Sequence, residues 1–431
     1  MAPSDAALNT LAVHFQWTAM DMLDFLSFQG VGPASALGPI GLAPRLNFIT
    51  GDNGLGKSFV LDTAWWVLTR TWAAGRPIKA RDQAALPVID YRFTGAAHSA
   101  GQWAWQKDRW TPVGDVAPSR ALVVYAHANG TFSAWDPVRN AGELAAYHFD
   151  ETQLWRGTPM AGQGRLCNGL LNDWVRWQRT HGCKAFAALK QVLRALSPSR
   201  EELLLPGRPC HIGLLDETEY PTLQRPQGRV PLPETSSAIR RVVALAYMLV
   251  WSWEGHRRAC RLAGVQPSDE LVFLVDEVEC HLHAQWQRRI VPALMNVVGA
   301  LTRQRLAVQM IVATHSPLVL ASMESQFVES RDALFTLGLQ AGEVQLHQQP
   351  WAPQGDAVNW LVSESFGLRQ ARSVEAEAAI GAAEAWMRGE RSGLPEGLDS
   401  EEAIQTQLLQ TLPTGDHFWP TWVVAKAGVP A

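Results

Sequence analysis

Cysteine is scarce in this 431-residue chain. Its five residues, Cys167, Cys183, Cys210, Cys260 and Cys280, are odd in number and none are spaced as C-x-x-C. That excludes a disulfide framework or a zinc ribbon as the basis of the fold. Long apolar runs are also missing. The longest, Val242 to Trp253, is shorter than the ~20 residues that cross a bilayer, so it reads as a buried helix and no membrane segment is expected. No basic stretch followed by an apolar one opens the chain, so no secretory signal is expected. With the unpaired thiols, this points to a reducing, cytoplasmic setting. Neither sign of charge dominates: Lys+Arg 37 against Asp+Glu 41 leaves −4. Any contact with nucleic acid therefore has to come from a local patch. Internal repeats, low-complexity tracts and sustained heptads are absent as well, which argues against solenoids and long coiled-coil arms.

What remains is 47 % hydrophobic and 18 % charged, enough for a sizeable core in two or three domains, or in one core with inserted lobes. The chain is organised around Gly51-Asp52-Asn53-Gly54-Leu55-Gly56-Lys57-Ser58, which fits G-x-x-x-x-G-K-[ST]. Leu46 to Thr50 reads as a short buried strand entering this loop. Ser58 to Trp72 reads as a helix leaving it, with Leu61, Ala64, Trp65 and Leu68 at helical spacing. In that context glycines let backbone N–H groups turn toward a polyphosphate, and the helix N-terminus adds positive charge at the same place. The binding set is Gly51, Asn53, Gly54, Leu55, Gly56, Lys57, Ser58 and Phe59. Lys57 reaches the β/γ-phosphates and the Ser58 hydroxyl ligates Mg²⁺. The plain alternative is a glycine-rich turn that matches by chance.

A phosphate loop needs a carboxylate, and one apolar strand supplies it. Leu271 to Val275 ends in Asp276-Glu277. Asp276 at the strand's end is placed to hold Mg²⁺, and Glu277 to take a proton from attacking water. Acids that merely cap a helix are the competing reading. The next apolar strand, Leu306 to Ala313, ends in Thr314-His315-Ser316. His315 can donate a hydrogen bond to a γ-phosphate, or simply sit at a surface. Glu279, Cys280, His281 and His283 follow the acids, and a metal cluster is a second reading of that run.

The expected organisation has five parts. Residues 1–21 form a leader. Residues 22–139 form the first half of a nucleotide-binding core, with a β-rich section (Val88 to Phe93, Gln102 to Gln106, Ala121 to Ala126, Phe132 to Trp135). Residues 140–235 are a helical lobe with Pro/Gly-rich connections. Residues 236–350 complete the core: a long helix from Ser237 to about Leu262, the acid strand, a helix from about Ala284 to Leu301, the His315 strand, and a hairpin (Ala333 to Leu337, Gly342 to Gln348). Residues 351–431 are a helical tail, with helices near Ser373 to Arg388 and Glu401 to Leu412.

This order of motifs resembles the ABC-type ATPase superfamily. It is most similar to the heads of RecF-like, SMC-like and OLD-like proteins and the AAA-family ATPases of bacterial anti-phage systems. The resemblance spans roughly residues 22–350. It assigns Gly51 to Ser58 as Walker A, Leu271 to Glu277 as Walker B, Leu282-His283 as the D-loop and His315 as the switch histidine. It implies an α/β P-loop NTPase head with a mixed central sheet, an antiparallel β subdomain and an inserted helical lobe. It also implies ATP and Mg²⁺ as cofactors, and a homodimer closed through the ATP sites. The signature motif falls on Thr235 to Arg241, where Ser236 would meet the γ-phosphate held by the other subunit. Ala238 and Ile239 depart from the usual Gly and Glu/Gln there, which puts tight closure and fast hydrolysis in doubt. No Q-loop glutamine can be assigned.

With 177 residues between Ser58 and Ser236 and no hook motif, a compact head fits better than a long-armed one. The tail lacks the acids of a TOPRIM nuclease, so the resemblance implies a separate effector or nuclease chain. DNA is a further partner implied by family. The candidate patches are Arg76, Lys79 and Arg81, and Arg179, Lys184, Lys190, Arg194 and Arg200, each equally readable as a solvated face. The other readings are the ATPase subunit of a membrane transporter, a DNA-repair RecF-like ATPase, and a GTPase, the last weakened by the absence of N-K-x-D.

Overall fold

The computed structural model describes residues 22–73, 77–81, 87–104, 109–113, 117–140, 146–159, 165–226, 228–301 and 306–426, without the side chains of 298–300, 425 and 426. The expected leader, Arg76 of the first basic patch, and Trp105-Gln106 lie outside them. Two compact units divide the chain at Gly355/Asp356.

The first unit is built on an eight-stranded mixed sheet. Its order is Glu343–Gln349, Asp332–Gln340, Leu46–Gly51, Ala307–Ala313, Glu270–Val275, Leu122–Ala126, Phe132–Trp135, Tyr147–Phe149. The middle five run parallel, and antiparallel strands close both ends. Leu271–Val275 of the strand Glu270–Val275, and Leu122–Ala126, read as continuous apolar runs because both faces are covered. The helix Lys57–Thr69 packs on one face with Leu61, Ala64, Trp65 and Leu68 fully buried. The 27-residue helix Ser237–Ala263 begins at a Ser236 cap and ends at Gly264, which takes the left-handed conformation (φ 70°) that glycine tolerates.

A second sheet, all antiparallel, has the order Ala36–Gly41, Leu23–Gln29, Val88–Phe93, Ser99–Ala104, Arg109–Pro112. One buried amide stitches it to the first, and another holds the connection that joins them. Gln309 accepts from Leu23 N (3.2 Å) and donates to the carbonyls of Leu23 (2.7 Å) and Ala43 (3.0 Å). Asn47 accepts from Ala43 N and donates to Ala43 O. Both amides are sealed from solvent, so their hydrogen bonds fix the relation of the two sheets.

The architecture is the expected α/β head with a mixed central sheet and an antiparallel subdomain. Three details differ from expectation. The expected hairpin is not peripheral, because Asp332–Gln340 pairs in parallel with the phosphate-loop strand along Leu46 to Gly51. The helix expected over 284–301 is two, Ala284–Gln287 and Ile290–Leu301. The connection after Ser197 contains a three-stranded sheet of Leu205–Pro206, Thr222–Arg225 and Gly228–Pro231. Strands this short carry no periodicity to read. The lobe contains the helices Leu170–Arg179 and Lys184–Ala195.

In the second unit, Val374–Met387, Glu401–Thr411 and Phe418–Lys426 surround Ile380, Ile404, Leu408 and Trp422. Ala379 and Ala383 are also buried there, and residues this small let helices approach closely. Ser373 and Ser400 cap the first two helices.

The Arg45 guanidinium holds the buried Asp332 at the edge of the phosphate-loop strand, donating from Nε to Oδ1 at 2.7 Å, and Val328 N donates to Oδ2 at 2.7 Å. Replacing Arg45 by Met leaves that carboxylate buried without its cation. The expected loss is about 3 kcal/mol of unfolding free energy, measured as a lower urea midpoint at unchanged m-value.

Candidate functional site

The parallel register brings the ends of four strands to one edge. Val275 lies opposite Val312 and Ala126, and Ala313 lies opposite Ile49. The ladder runs one residue further, with Asp276 N donating to Ala126 O (2.9 Å) and Thr314 N to Ile49 O (3.1 Å). The residues that follow, Gly51-Asp52, His127, Asp276-Glu277 and Thr314-His315, therefore share one edge although up to 264 positions separate them.

Gly51, Gly54 and Gly56 all have positive φ (128°, 81° and 103°). At Gly51 the requirement is also one of space, since a Cβ would lie 2.3 Å from the Leu337 carbonyl. Gly56 caps the helix with no side-chain hydrogen bond, leaving its N-terminal amides for an anion. Lys57 is buried and donates from Nζ to Gly51 O (2.7 Å) and Asp52 O (2.9 Å) across the loop. Burial pulls its pKa down, while Asp276, Glu277 and Asp52 oppose the shift.

The Ser58 hydroxyl donates to Asp276 Oδ2 at 2.7 Å, and Asp276 Oδ1 is buried with no hydrogen-bond partner. A buried acceptor left free in a native fold calls for an explanation. A hydroxyl and a carboxylate at one point, with an unused lone pair, are oxygen donors of the kind Mg²⁺ takes from protein. The residues therefore fit that ion. Desolvation pushes the Asp276 carboxyl pKa up, against the Ser58 hydrogen bond.

Glu277 has φ 47°, a left-handed conformation uncommon outside glycine, and His281 has φ 63°. Backbone held in this way costs of order 1–3 kcal/mol and collects at functional sites. Here it turns the chain sharply off the strand, leaving the Glu277 side chain 40 % exposed and its Oε1 3.9 Å from His315 Nε2. His315 lies within reach of the Gly51 backbone. Its pKa is lowered, first by burial and then by Lys57.

Several residues at this edge were given no role in the site from sequence. Glu279, read there only as part of a metal cluster, instead clamps the end of the His315 strand. It accepts from the Thr314 hydroxyl (2.8 Å) and from the His315 backbone N–H. His281 and His283 are exposed, and among the described residues no group of three or more His, Cys, Asp or Glu gathers as a metal site. Arg241, on the long helix, donates to His127 O, while its Nη1 is buried without a partner; its charge acts on Cys280, Asp276 and Glu277. Asp62, one turn after Ser58, accepts from the Tyr125 hydroxyl (3.0 Å) beside Asp276. Its i, i+4 spacing from Ser58 was a usable signal. Arg241 and His127 had none, since only the sheet order brings them here. His127 stands at the end of Leu122–Ala126, where no Q-loop glutamine was found. Ser236 is exposed, accepts from Ile239 N at 3.4 Å as a helix cap, and makes no hydrogen bond to the phosphate-loop group.

A phosphate loop, an acid pair on a strand one removed from it, and a histidine on the strand between thus share one edge of a P-loop α/β sheet. Comparison with known proteins gives the following similarities. Residues 254–321 match the family model described as "AAA domain, putative AbiEii toxin, Type IV TA system". A stretch of 58 residues is 38 % identical to the retron Vc95 probable ATPase of Vibrio cholerae serotype O1 biovar El Tor, covering 14 % of this chain and 10 % of that protein. Among solved structures, the SMC head domain from Thermotoga maritima aligns over 77 % of this chain and 100 % of its own, at TM-score 0.40 and 15 % identity. The recombination mediator RecF does so over the same shares at TM-score 0.37 and 11 % identity. The chain is thus similar, over short stretches, to an AAA-domain family model and to a retron ATPase of which it spans about a tenth.

Burial raises the Asp62 pKa to about 6, with the Asp276 charge adding to it and the Tyr125 hydrogen bond opposing it. Its folded pKa exceeds its unfolded one, so its contribution to stability is fully present near pH 4 and lost as pH rises through 6. Asp62→Asn should therefore gain on wild type between pH 4 and pH 8, by roughly 2–3 kcal/mol. Urea unfolding of both proteins at the two pH values, without nucleotide or Mg²⁺, measures it.

Proposed function

We propose that this chain is a Mg²⁺-dependent ATPase that closes on a second copy of itself around two ATP molecules, and through that closure controls a separate DNA-directed effector in anti-phage defence. The observation that carries the nucleotide site is the Ser58–Asp276 pair, with its orphaned Asp276 Oδ1 beside a glycine cradle. Loop and first-turn amides from Gly51 to Phe59, with Lys57, would hold the phosphates. Ser58 and Asp276 would hold Mg²⁺, which when bound supplies charge neutralisation at the phosphates. Glu277 would accept the proton of the attacking water. Its partial exposure and strained backbone fit that role. His315, tied through its backbone to Glu279, would report on the γ-phosphate. Ser236 would serve the second copy's nucleotide, which fits its exposure at a helix N-terminus.

The control of an effector rests on the likeness to the retron ATPase and to the toxin–antitoxin family model. The lobe cations Lys184, Lys190, Arg194 and Arg200 are exposed and available to a DNA backbone, whereas Arg179 is paired with Glu219. No helix among the described residues is long and apolar enough to cross a membrane.

Calorimetry with ATP and Mg²⁺, followed by light scattering on a sizing column, tests the reading. Lys57→Ala should lose ATP binding. Glu277→Gln should keep ATP, accumulate dimer and turn over roughly 10²–10⁴-fold more slowly. Wild-type protein that takes up no adenine nucleotide, or a Glu277→Gln variant equally monomeric with and without ATP, would overturn it.

A further inference from the structure

A second cavity, of about 290 Å³, opens between the short helix Glu151–Arg156, Tyr220, and the first turn of the long helix at Arg240. Its composition differs from the surrounding surface. Trp155 and Tyr220 give it two aromatic side chains over an apolar floor at Leu171. The Tyr220 ring is pinned, because its hydroxyl donates to Asp216 Oδ2 at 2.6 Å. Two guanidinium groups, Arg156 and Arg240, line the same space, against the carboxylate of Glu151, while the Asp216 charge beside Tyr220 acts on Arg156. Neither arginine makes an ion pair among the described residues, and Arg240 Nε is buried with no hydrogen-bond partner.

Arg156 is exposed and Arg240 partly so, and an anionic oxygen entering the cavity would meet both guanidinium groups. Arginine presents a fork suited to phosphate, and rigid aromatic faces suit a stacked base. A ligand with a flat aromatic body and an attached phosphate answers both halves of the lining, and the volume admits a base with part of its sugar.

We propose that this cavity is a second nucleotide-unit site, separate from the phosphate loop, with a base held against Trp155 and Tyr220 and its phosphate on Arg156 and Arg240. The unit is either a free nucleotide or one residue of a single strand. The chemistry is shared and the experiment separates the two. Arg240 is followed by Arg241, which faces Asp276 and Glu277. The occupant therefore sits on the same helical turn that borders the acid edge, a short route from ligand to ATPase centre.

The test uses the full chain carrying Lys57→Ala, so that the phosphate loop is silenced. A short single-stranded oligonucleotide containing 5-iodo-deoxyuridine is cross-linked by light and the adduct mapped by mass spectrometry. AMP and dTMP are the competitors. The adduct should fall on Trp155 or Tyr220. Trp155→Ala and Arg240→Gln should each weaken the preferred ligand about tenfold, while Trp155→Tyr, which keeps an aromatic face, retains it. Competition by a mononucleotide at its own micromolar affinity assigns a free nucleotide; retention of the oligonucleotide alone assigns a single strand, with affinity falling as salt rises. The proposal is overturned if neither probe binds, if the adduct maps elsewhere, or if Trp155→Ala and Arg240→Gln bind as the parent does. Failure of the ATPase reading would appear separately, as absent ATP uptake by the wild-type chain.

Discussion

Parallel register is the constraint on which the site depends. A parallel ladder fixes which residues of neighbouring strands lie abreast, and the carboxyl ends of all its strands then face the same way. Here Ala126, Val275, Ala313 and Ile49 lie across neighbouring strands, so each chain leaves the sheet at nearly the same level. A one-residue slip of Glu270–Val275 would turn its side chains to the opposite faces and carry Asp276 away from Ser58. The burial of that strand on both faces, together with Gln309 of the neighbouring strand anchored to Leu23 of the second sheet, specifies the register.

The same convergence concentrates charge. Asp276, Glu279 and Asp62 are each pushed toward the protonated form by burial, and Lys57 is pushed toward neutrality for the same reason. Arg241 adds a buried cation with an unpartnered Nη1. The edge is thus a set of desolvated groups whose mutual pairing is incomplete. Such a set is costly alone and relieved by a ligand bearing both signs, as a metal with a polyphosphate does. Carboxylates held close together disfavour each other's ionisation until a cation arrives.

How much of this could be read beforehand depends on the range of the interaction. The phosphate loop is a local device, with its glycines, lysine and serine in eight consecutive residues, and it was legible whole. Asp276-Glu277 and His315 were legible because each terminates an apolar strand. Arg241 and His127 were not, because their relation to the acids is created by sheet order and by the packing of the long helix. Glu279 was visible but misassigned: beside two histidines it suggests a ligand set, and only the fold shows its carboxylate turned to Thr314 and His315. The break between Gln287 and Ile290 was missed because apolar spacing continues through it. The parallel pairing of Asp332–Gln340 was missed because its hairpin partner lies next in the chain.

The lobe is coupled to this edge by hydrogen bonds, not only by packing. Trp286 Nε1 donates to Leu196 O at 2.9 Å and Arg289 Nη1 to Pro198 O at 3.0 Å, joining the end of the lobe helix to the segment behind the acids. Gln287, beside Trp286, accepts from the Ser316 hydroxyl at 2.8 Å, next to His315. Glu279 completes the loop from the acid side. The lobe, the acid segment and the His315 strand are therefore linked by bonds to backbone and amide groups that leave little slack. A displacement at His315 has a direct mechanical path to the lobe surface through Ser316, Gln287 and Trp286. The two short helices that replace the expected single one are what make that path: the turn between them sets Arg289 toward the lobe while Gln287 faces Ser316.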